Sequence, residues 1–215
     1  MSGSVARPLA ELLSGSEPDT DVLVQSWQTL GSEEVVCRLA VASPWWNNAA
    51  RRAGKSGELT ITCRGVCGGE IRLGWRAGDV EDLTVRADDA RLWQFGTHGT
   101  VFGNAPMPDP RRFLVEFSDV LWARLASGSA DAIEYLGAGS LAEWEARAGG
   151  HANYALLKGP LPLLEAVAPL LDAQGVEYRV VAGPARDTGT RVVVDIGESW
   201  LVCAEAVAQA RTIAA

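Results

Sequence analysis

Long apolar runs are missing from this chain of 215 residues. The longest uninterrupted one, at 166–171, is much shorter than the roughly 20 residues that a membrane-spanning helix needs. The first residues also lack the basic start and apolar core of a signal peptide. We therefore expect a cytoplasmic protein that makes no membrane contact.

Basic residues are outnumbered in the chain, with 19 Lys and Arg against 27 Asp and Glu, which gives a net charge of −8. Like-charge repulsion therefore opposes binding to a nucleic-acid backbone. The basic groups that do occur, Arg51-Arg52 with Lys55 and Arg111-Arg112, are too short to track a row of phosphates. We do not expect nucleic acid to be the partner.

Histidine and cysteine are scarce, with only His98 and His151 beside four cysteines. The cysteines, most of them in apolar strand-like contexts, are Cys37, Cys63, Cys67 and Cys203. Cys63 and Cys67 have no second pair and do not have the spacing of a zinc or redox site, so we predict no metal, no cofactor and cysteines in the core. Two questions stay open. Cys63 and Cys67 are either functional or structural, and either could approach a histidine as a thiol nucleophile.

Two short motifs resemble those of nucleotide-binding proteins and hydrolases, and each lacks a required element. Gly54-Lys55-Ser56 has the end of a phosphate-binding loop, but the first glycine is absent and a strand pattern follows where a helix is needed. Ser199 follows a strand pattern as in a nucleophile elbow, but no histidine comes after it to act as the base. We interpret Ser199 as a helix cap. These absences favour a non-enzymatic protein, and an enzyme is the alternative.

Alternating apolar and polar residues in the first half of the chain predict strands. The clearest are 35–41 and 59–63, and we expect 59–63 to form a hairpin with 71–75. Three shorter runs continue the pattern, at 83–85, 92–95 and 100–102. This half of the chain should form an antiparallel sheet with a polar outer face.

The segment Phe95–Arg112 is rich in glycine and proline and separates the strand patterns from helix patterns. Asp109-Pro110 predicts a helix start. Apolar residues at helical spacing follow as far as Leu125, so we expect a helix that covers the sheet. A capping-box pattern predicts a second helix at 140–150.

The last third of the chain predicts a small βαββα lobe. Its elements are a strand at 154–157, a helix at 161–174, strands at 176–182 and 191–196, and a helix from Ser199. This order is typical of a split-βαβ unit of ferredoxin-like kind. The predicted fold class is α+β, packed as one compact unit. Its parts are a loosely held segment at 1–20, a helix-covered antiparallel sheet at 21–150 and the lobe at 151–215.

Tryptophan is abundant, with eight copies. Four lie in periodic segments and are predicted to be core residues: Trp75, Trp122, Trp144 and Trp200. Trp45 and Trp46 lie in the loop 43–57 instead, and adjacent side chains of an extended segment point to opposite sides. We predict that this pair anchors a protein contact, with Arg51 and Arg52 as its polar rim. The alternative is that the loop folds back and buries the rings.

The second predicted binding surface is the loop 98–109, because loops present binding groups on a rigid scaffold. We predict a non-enzymatic protein-binding or adaptor protein of the bacterial cytoplasm type. Trp45-Trp46 and this loop would contact a protein partner or a second copy of the chain. The alternative is a small-molecule-binding protein or an enzyme, with a cleft lined by His98, Asn104, Asp109 and Arg111.

Overall fold

The computed structural model describes residues 6–17, 20–74, 77–125, 132–186 and 189–213. The strands in these ranges are β1 (Arg7–Pro8), β2 (Asp21–Leu30), β3 (Glu34–Val41), β4 (Gly57–Arg64), β5 (Gly68–Glu70), β6 (Ala77–Asp79), β7 (Leu83–Arg86), β8 (His98–Gly103), β9 (Tyr154–Pro160), β10 (Tyr178–Ala182), β11 (Val192–Ile196), β12 (Ser199–Cys203) and β13 (Glu205–Thr212). The α-helices are α1 (Leu9–Leu13), α2 (Asn48–Arg52), α3 (Pro110–Leu125), α4 (Leu141–Gly150) and α5 (Leu161–Ala173). Helices and antiparallel sheets together confirm the predicted α+β class.

The chain divides into two compact units, one formed by Met1–Asp89 with Gly189–Ala215 and the other by Ala90–Thr188. These boundaries differ from the predicted divisions at 20 and 150. The difference arises because β11, β12 and β13 pair with strands from the first half of the chain. Such long-range pairing leaves no mark on local periodicity.

The first unit consists of two antiparallel sheets that share one apolar core. The strand orders are β1-β13-β4-β3-β2-β6 and β5-β12-β11-β7. Leu39, Leu59 and Ile61 of the first sheet pack in the same cluster as Val194 and Leu201 of the second. The prediction that helices cover this sheet is therefore wrong for its apolar face, because the second sheet packs against that face.

The predicted hairpin between 59–63 and 71–75 is also absent from the described residues. β4 already has β3 on one side and β13 on the other, so neither side is free to pair with a further strand. Residues 71–74 form no strand, and the nearby strand β5, Gly68–Glu70, pairs with β12 in the other sheet. Residue 75 lies outside the described residues.

Two further elements differ from the sequence-based prediction. The C-terminal helix from Ser199 is replaced by β12 and β13. Residues 92–95 lie in a 3₁₀ helix, Ala90–Phe95, and not in a strand. The βαββα lobe consequently does not form, since β9, α5 and β10 belong to the second unit and β11 to the first.

The second unit is a three-stranded antiparallel sheet of order β10-β8-β9 with helices packed on it. Its core joins Phe113 and Phe117 of α3 to Trp144 of α4, Leu156 of β9 and Leu164 of α5. All five side chains are buried. Apolar side chains of the helices therefore bury one face of the central strand β8.

The starts of α3 and α4 form as predicted. Asp109 Oδ1 accepts the backbone N–H of Arg112 at 3.0 Å, which caps α3. Ser140 Oγ accepts the N–H of Glu143 at 3.1 Å, which caps α4. Both bonds satisfy donors that a helix N-terminus otherwise leaves unpaired.

Candidate functional site

Trp45 and Trp46 lie against the core of the first unit. The Trp45 side chain is 9% exposed, and its Nε1 donates to the carbonyl of Leu12 at 3.0 Å. The two rings meet edge to face with centroids 4.7 Å apart. The loop therefore folds back over the sheet, which was the alternative interpretation, and Trp45 does not offer its ring to a partner.

The polar residues of this loop hold it in place. Asn47 Oδ1 caps α2 by accepting the N–H of Ala50, and its Nδ2 donates to Thr212 Oγ1 at 3.1 Å. Arg51 is paired with Glu17. Arg52 is exposed. A rim role for the two arginines stays a prediction, whereas the contacts of Asn47 and Arg51 show how the loop is anchored.

The four residues of the predicted cleft are spread along β8 and the start of α3. His98 Nε2 is 3.0 Å from the carbonyl oxygen of Gln94, and Asn104 follows the last residue of β8. The two residues are six positions apart along an extended segment, which corresponds to roughly 20 Å. Asp109 caps α3, and Arg111 forms an ion pair with Glu145 while 83% of its side chain stays exposed. The structure does not bring His98 and Asn104 into one small site.

Three of the four cysteines lie in the core of the first unit. Cys37, Cys63 and Cys203 are each at most 1% exposed. The Cys63 thiol donates to the Cys203 sulfur; this bond and burial raise the pKa of Cys63, and the same bond lowers that of Cys203. Cys67 is exposed, contrary to the prediction that the cysteines are core residues. It lies after the turn at Gly65, where the chain leaves the buried strand.

Burial of Cys37 predicts a pH-dependent stability, because desolvation raises the pKa of its thiol to about 12. In the unfolded chain the pKa of the same thiol is about 8.5. Between these values the folded state holds a proton that the unfolded state has lost. The free energy of unfolding should therefore fall as pH rises through this window, by up to about 1.4 kcal/mol per pH unit.

The test compares urea denaturation of the wild type with Cys37→Ala across this alkaline window. We expect the variant to lose stability with a shallower slope. Cys67→Ala is the matched control, because it removes an exposed cysteine of the same unit. Equal slopes for all three proteins would contradict the prediction.

A cavity of about 490 Å³ lies at the β2–β6 end of the larger sheet. Small-molecule sites fall in this range of volume, about 300–1,000 Å³. Its lining is mostly apolar and consists of Asp21, Val22, Leu23, Ala40, Val41, Ala42, Ser56, Ala77, Gly78 and Asp79. None of the eight predicted site residues is among them. The cavity has volume for a ligand but lacks a nucleophile paired with a base.

The feature that the sequence analysis missed is the free side of β10. β10 is the last strand of its sheet, and among the described residues no strand pairs with its outer side. We call this side, Tyr178–Ala182, the β10 edge. Val180 and Val181 are 47% and 45% exposed. Residues 176–182 were predicted as a strand, but edge position depends on strand order, which the sequence does not show.

Two hydrogen bonds show which backbone groups face outward along the β10 edge. Gly183 N–H donates to the carbonyl of His98, and Asn104 N–H donates to the carbonyl of Glu177, both at 2.8 Å. In an antiparallel pair, successive residues alternate between facing the neighbour and facing away. Odd-numbered residues therefore face β8, whereas Tyr178, Val180 and Ala182 direct both N–H and C=O outward.

Comparison with known proteins finds no matching family model, and no curated protein or solved structure gives a significant match. Within the described ranges, no helix has the length and apolar character needed to cross a membrane. The same residues contain no group of three or more His, Cys, Asp or Glu side chains placed to hold a metal ion.

Proposed function

We propose that this chain is a non-enzymatic protein-binding protein of the cytoplasm, and that it binds its partner by strand addition at the β10 edge. The observation that carries the proposal is the row of outward N–H and C=O groups at Tyr178, Val180 and Ala182, beside two exposed valines. An extended segment that pairs with such an edge gains main-chain hydrogen bonds and side-chain contacts together. All four cysteines are free, which accords with a reducing compartment.

A comparison with strands β1, β2, β6 and β9 supports this choice. Proteins usually protect sheet edges with charges, prolines, bulges or short strands. β1 and β6 have two and three residues. β2 has a bulge between Val24 and Ser26. On the far side of the three-stranded sheet, β9 is covered where Leu157 bridges to Leu136.

The β10 edge has none of these protections except one charge. Its sequence is Tyr-Arg-Val-Val-Ala, with no proline and no bulge against β8. The Arg179 guanidinium lies over the ring of Phe102, 5.1 Å from the centroid, so it is held over its own sheet. A row of free backbone groups beside apolar side chains is the surface that strand addition requires.

Val180→Pro tests the proposed function. Proline removes the outward N–H but leaves the hydrogen bonds of β10 to β8, because edge strands accept proline where the N–H faces solvent. Val180→Thr is the control, since it keeps both the N–H and a β-branched side chain. We expect seven-residue peptides selected on the wild type from a phage library to bind Val180→Thr, and to bind Val180→Pro at least about tenfold more weakly.

The selected peptides should show apolar residues at alternate positions, as an added strand requires. Equal binding of these peptides to Val180→Pro would place the contact elsewhere. A selection that enriches no peptide would count against strand addition altogether. Circular dichroism of each variant shows whether the second unit stays folded.

A further inference from the structure

We propose that the partner of the β10 edge is a second copy of this chain, bound through an antiparallel pair of β10 strands centred on Val180. The inference rests on the proposed function, because it uses the same edge. In a two-fold dimer the same surface serves both copies, so the edge must be complementary to itself. The backbone of β10 satisfies this requirement.

Self-complementarity follows from which residues face outward. With Val180 opposite Val180 of the second copy, Tyr178 lies opposite Ala182 and Ala182 opposite Tyr178. Each of these pairs joins two outward-facing residues, which exchange both of their hydrogen bonds. The dimer would gain about six backbone hydrogen bonds. It would form one continuous sheet of order β9-β8-β10-β10-β8-β9.

Other registers fit less well. A slip of one residue places an outward-facing residue opposite an inward-facing one, so the ladder of hydrogen bonds cannot form. A slip of two residues keeps the alternation but leaves one of the three outward-facing residues of each copy unpaired within Tyr178–Ala182. The register centred on Val180 therefore uses all three outward residues of each strand.

Side chains and charges are compatible with this register. Val180 meets Val180, and Arg179 lies opposite Val181, so no like charges are directly opposed. The two Arg179 side chains are diagonal neighbours, and each is already held over Phe102 of its own sheet. Glu177 lies opposite Gly183. Because each copy has a net charge of −8, added salt should strengthen the dimer by screening repulsion between the copies.

The first test is sedimentation velocity over a concentration series from micromolar to near-millimolar protein. We expect a monomer–dimer equilibrium for the wild type and Val180→Thr. Dimerisation of Val180→Pro should be at least about tenfold weaker, because each copy loses an outward donor. A wild type that stays monomeric throughout, while selected peptides still bind, would overturn self-pairing and leave the proposed function standing.

The second test determines the register of the two β10 strands and does not depend on the proline variant. In a Cys67→Ser background, which removes the exposed thiol, we compare the oxidation of Val180→Cys with that of Val181→Cys. Cysteines at 180 face each other about 5.5 Å apart between Cα atoms, within disulfide range. Cysteines at 181 are offset by two residues, which places them beyond the range of about 7 Å.

We therefore expect a disulfide-linked dimer from Val180→Cys under oxidised glutathione, and little or none from Val181→Cys. Equal cross-linking of the two variants would overturn the proposed register. A dimer that persists unchanged in Val180→Pro would show that the copies meet through another surface. Either result refutes the proposed β10 pair centred on Val180, whatever the outcome of the peptide selection.

Discussion

Replacement of Trp144 by alanine should lower the free energy of unfolding of the second unit by about 3–5 kcal/mol. The side chain is fully buried, and its ring stacks on Phe113 with centroids 5.6 Å apart. Its Nε1 donates to the carbonyl of Leu156 at 2.8 Å. Truncation removes the apolar contacts, leaves a cavity between α3, α4 and β9, and deprives a buried carbonyl of its donor.

Trp122→Ala is the matched control, because Trp122 is also a helical tryptophan of the second unit. Its side chain is 66% exposed, so its removal should change stability by no more than about 0.5 kcal/mol. Urea denaturation followed by circular dichroism measures both variants. Similar losses for the two substitutions would contradict the burial of Trp144 and the exposure of Trp122.

Trp144 and Trp122 lie in similar sequence patterns but in different environments. Both lie in helical patterns and both were predicted to be core residues, which is right for Trp144 and wrong for Trp122. In α3 the buried positions are Phe113, Phe117 and Leu121, at the spacing of one helix face. Trp122 follows Leu121 by one residue and therefore projects about 100° away, off that face. A stricter assignment of each residue to a helix face would have placed it outside.

Features set by neighbouring residues were predicted well. The starts of α3 and α4 depend on Asp109 and Ser140, whose side chains reach backbone donors within one turn. The end of α5 depends on Gly175, which has φ of 65° just beyond the helix. These effects act within a few residues, so the sequence shows them directly.

Features set by distant pairing were not predictable in the same way. Ser199 was predicted to cap a helix, but its strand β12 pairs with β11 across a two-residue turn and, on its other side, with β5, which lies far upstream. Ser199 itself is buried, and its Oγ accepts the backbone N–H of Arg72 at 2.9 Å. A serine before an apolar run suits a helix cap and a buried acceptor equally well. Only the sheet topology distinguishes the two.

The candidate site was missed for the same physical reason. Two adjacent valines in a predicted strand are typical of a strand buried on both faces. The exposure of Val180 and Val181 follows from the position of β10 at the end of its sheet. Strand order, and with it the free edge, depends on which segments pair across the chain.

Replacement of Trp45 by alanine should lower the free energy of unfolding of the first unit by about 3–5 kcal/mol. Its ring packs in the core that the two sheets share and against the edge of Trp46. Its Nε1 also donates a hydrogen bond to the carbonyl of Leu12 and so connects the loop to α1. The substitution leaves that carbonyl without this donor. Trp45→Phe should lose less, because it keeps an aromatic ring and forgoes mainly the bond, worth about 1 kcal/mol.

Urea denaturation and solution mass of Trp45→Ala distinguish a core role from a contact role. A core ring predicts a large loss of stability, with self-association of the remaining folded protein unchanged from the wild type. Arg52→Ala, on the exposed side of the same loop, is the control and should stay within about 0.5 kcal/mol of the wild type. If Trp45→Ala instead keeps its stability but loses a dimer that Val180→Pro retains, Trp45 anchors the contact between copies. That outcome would transfer the interface from the β10 edge to the loop 43–57.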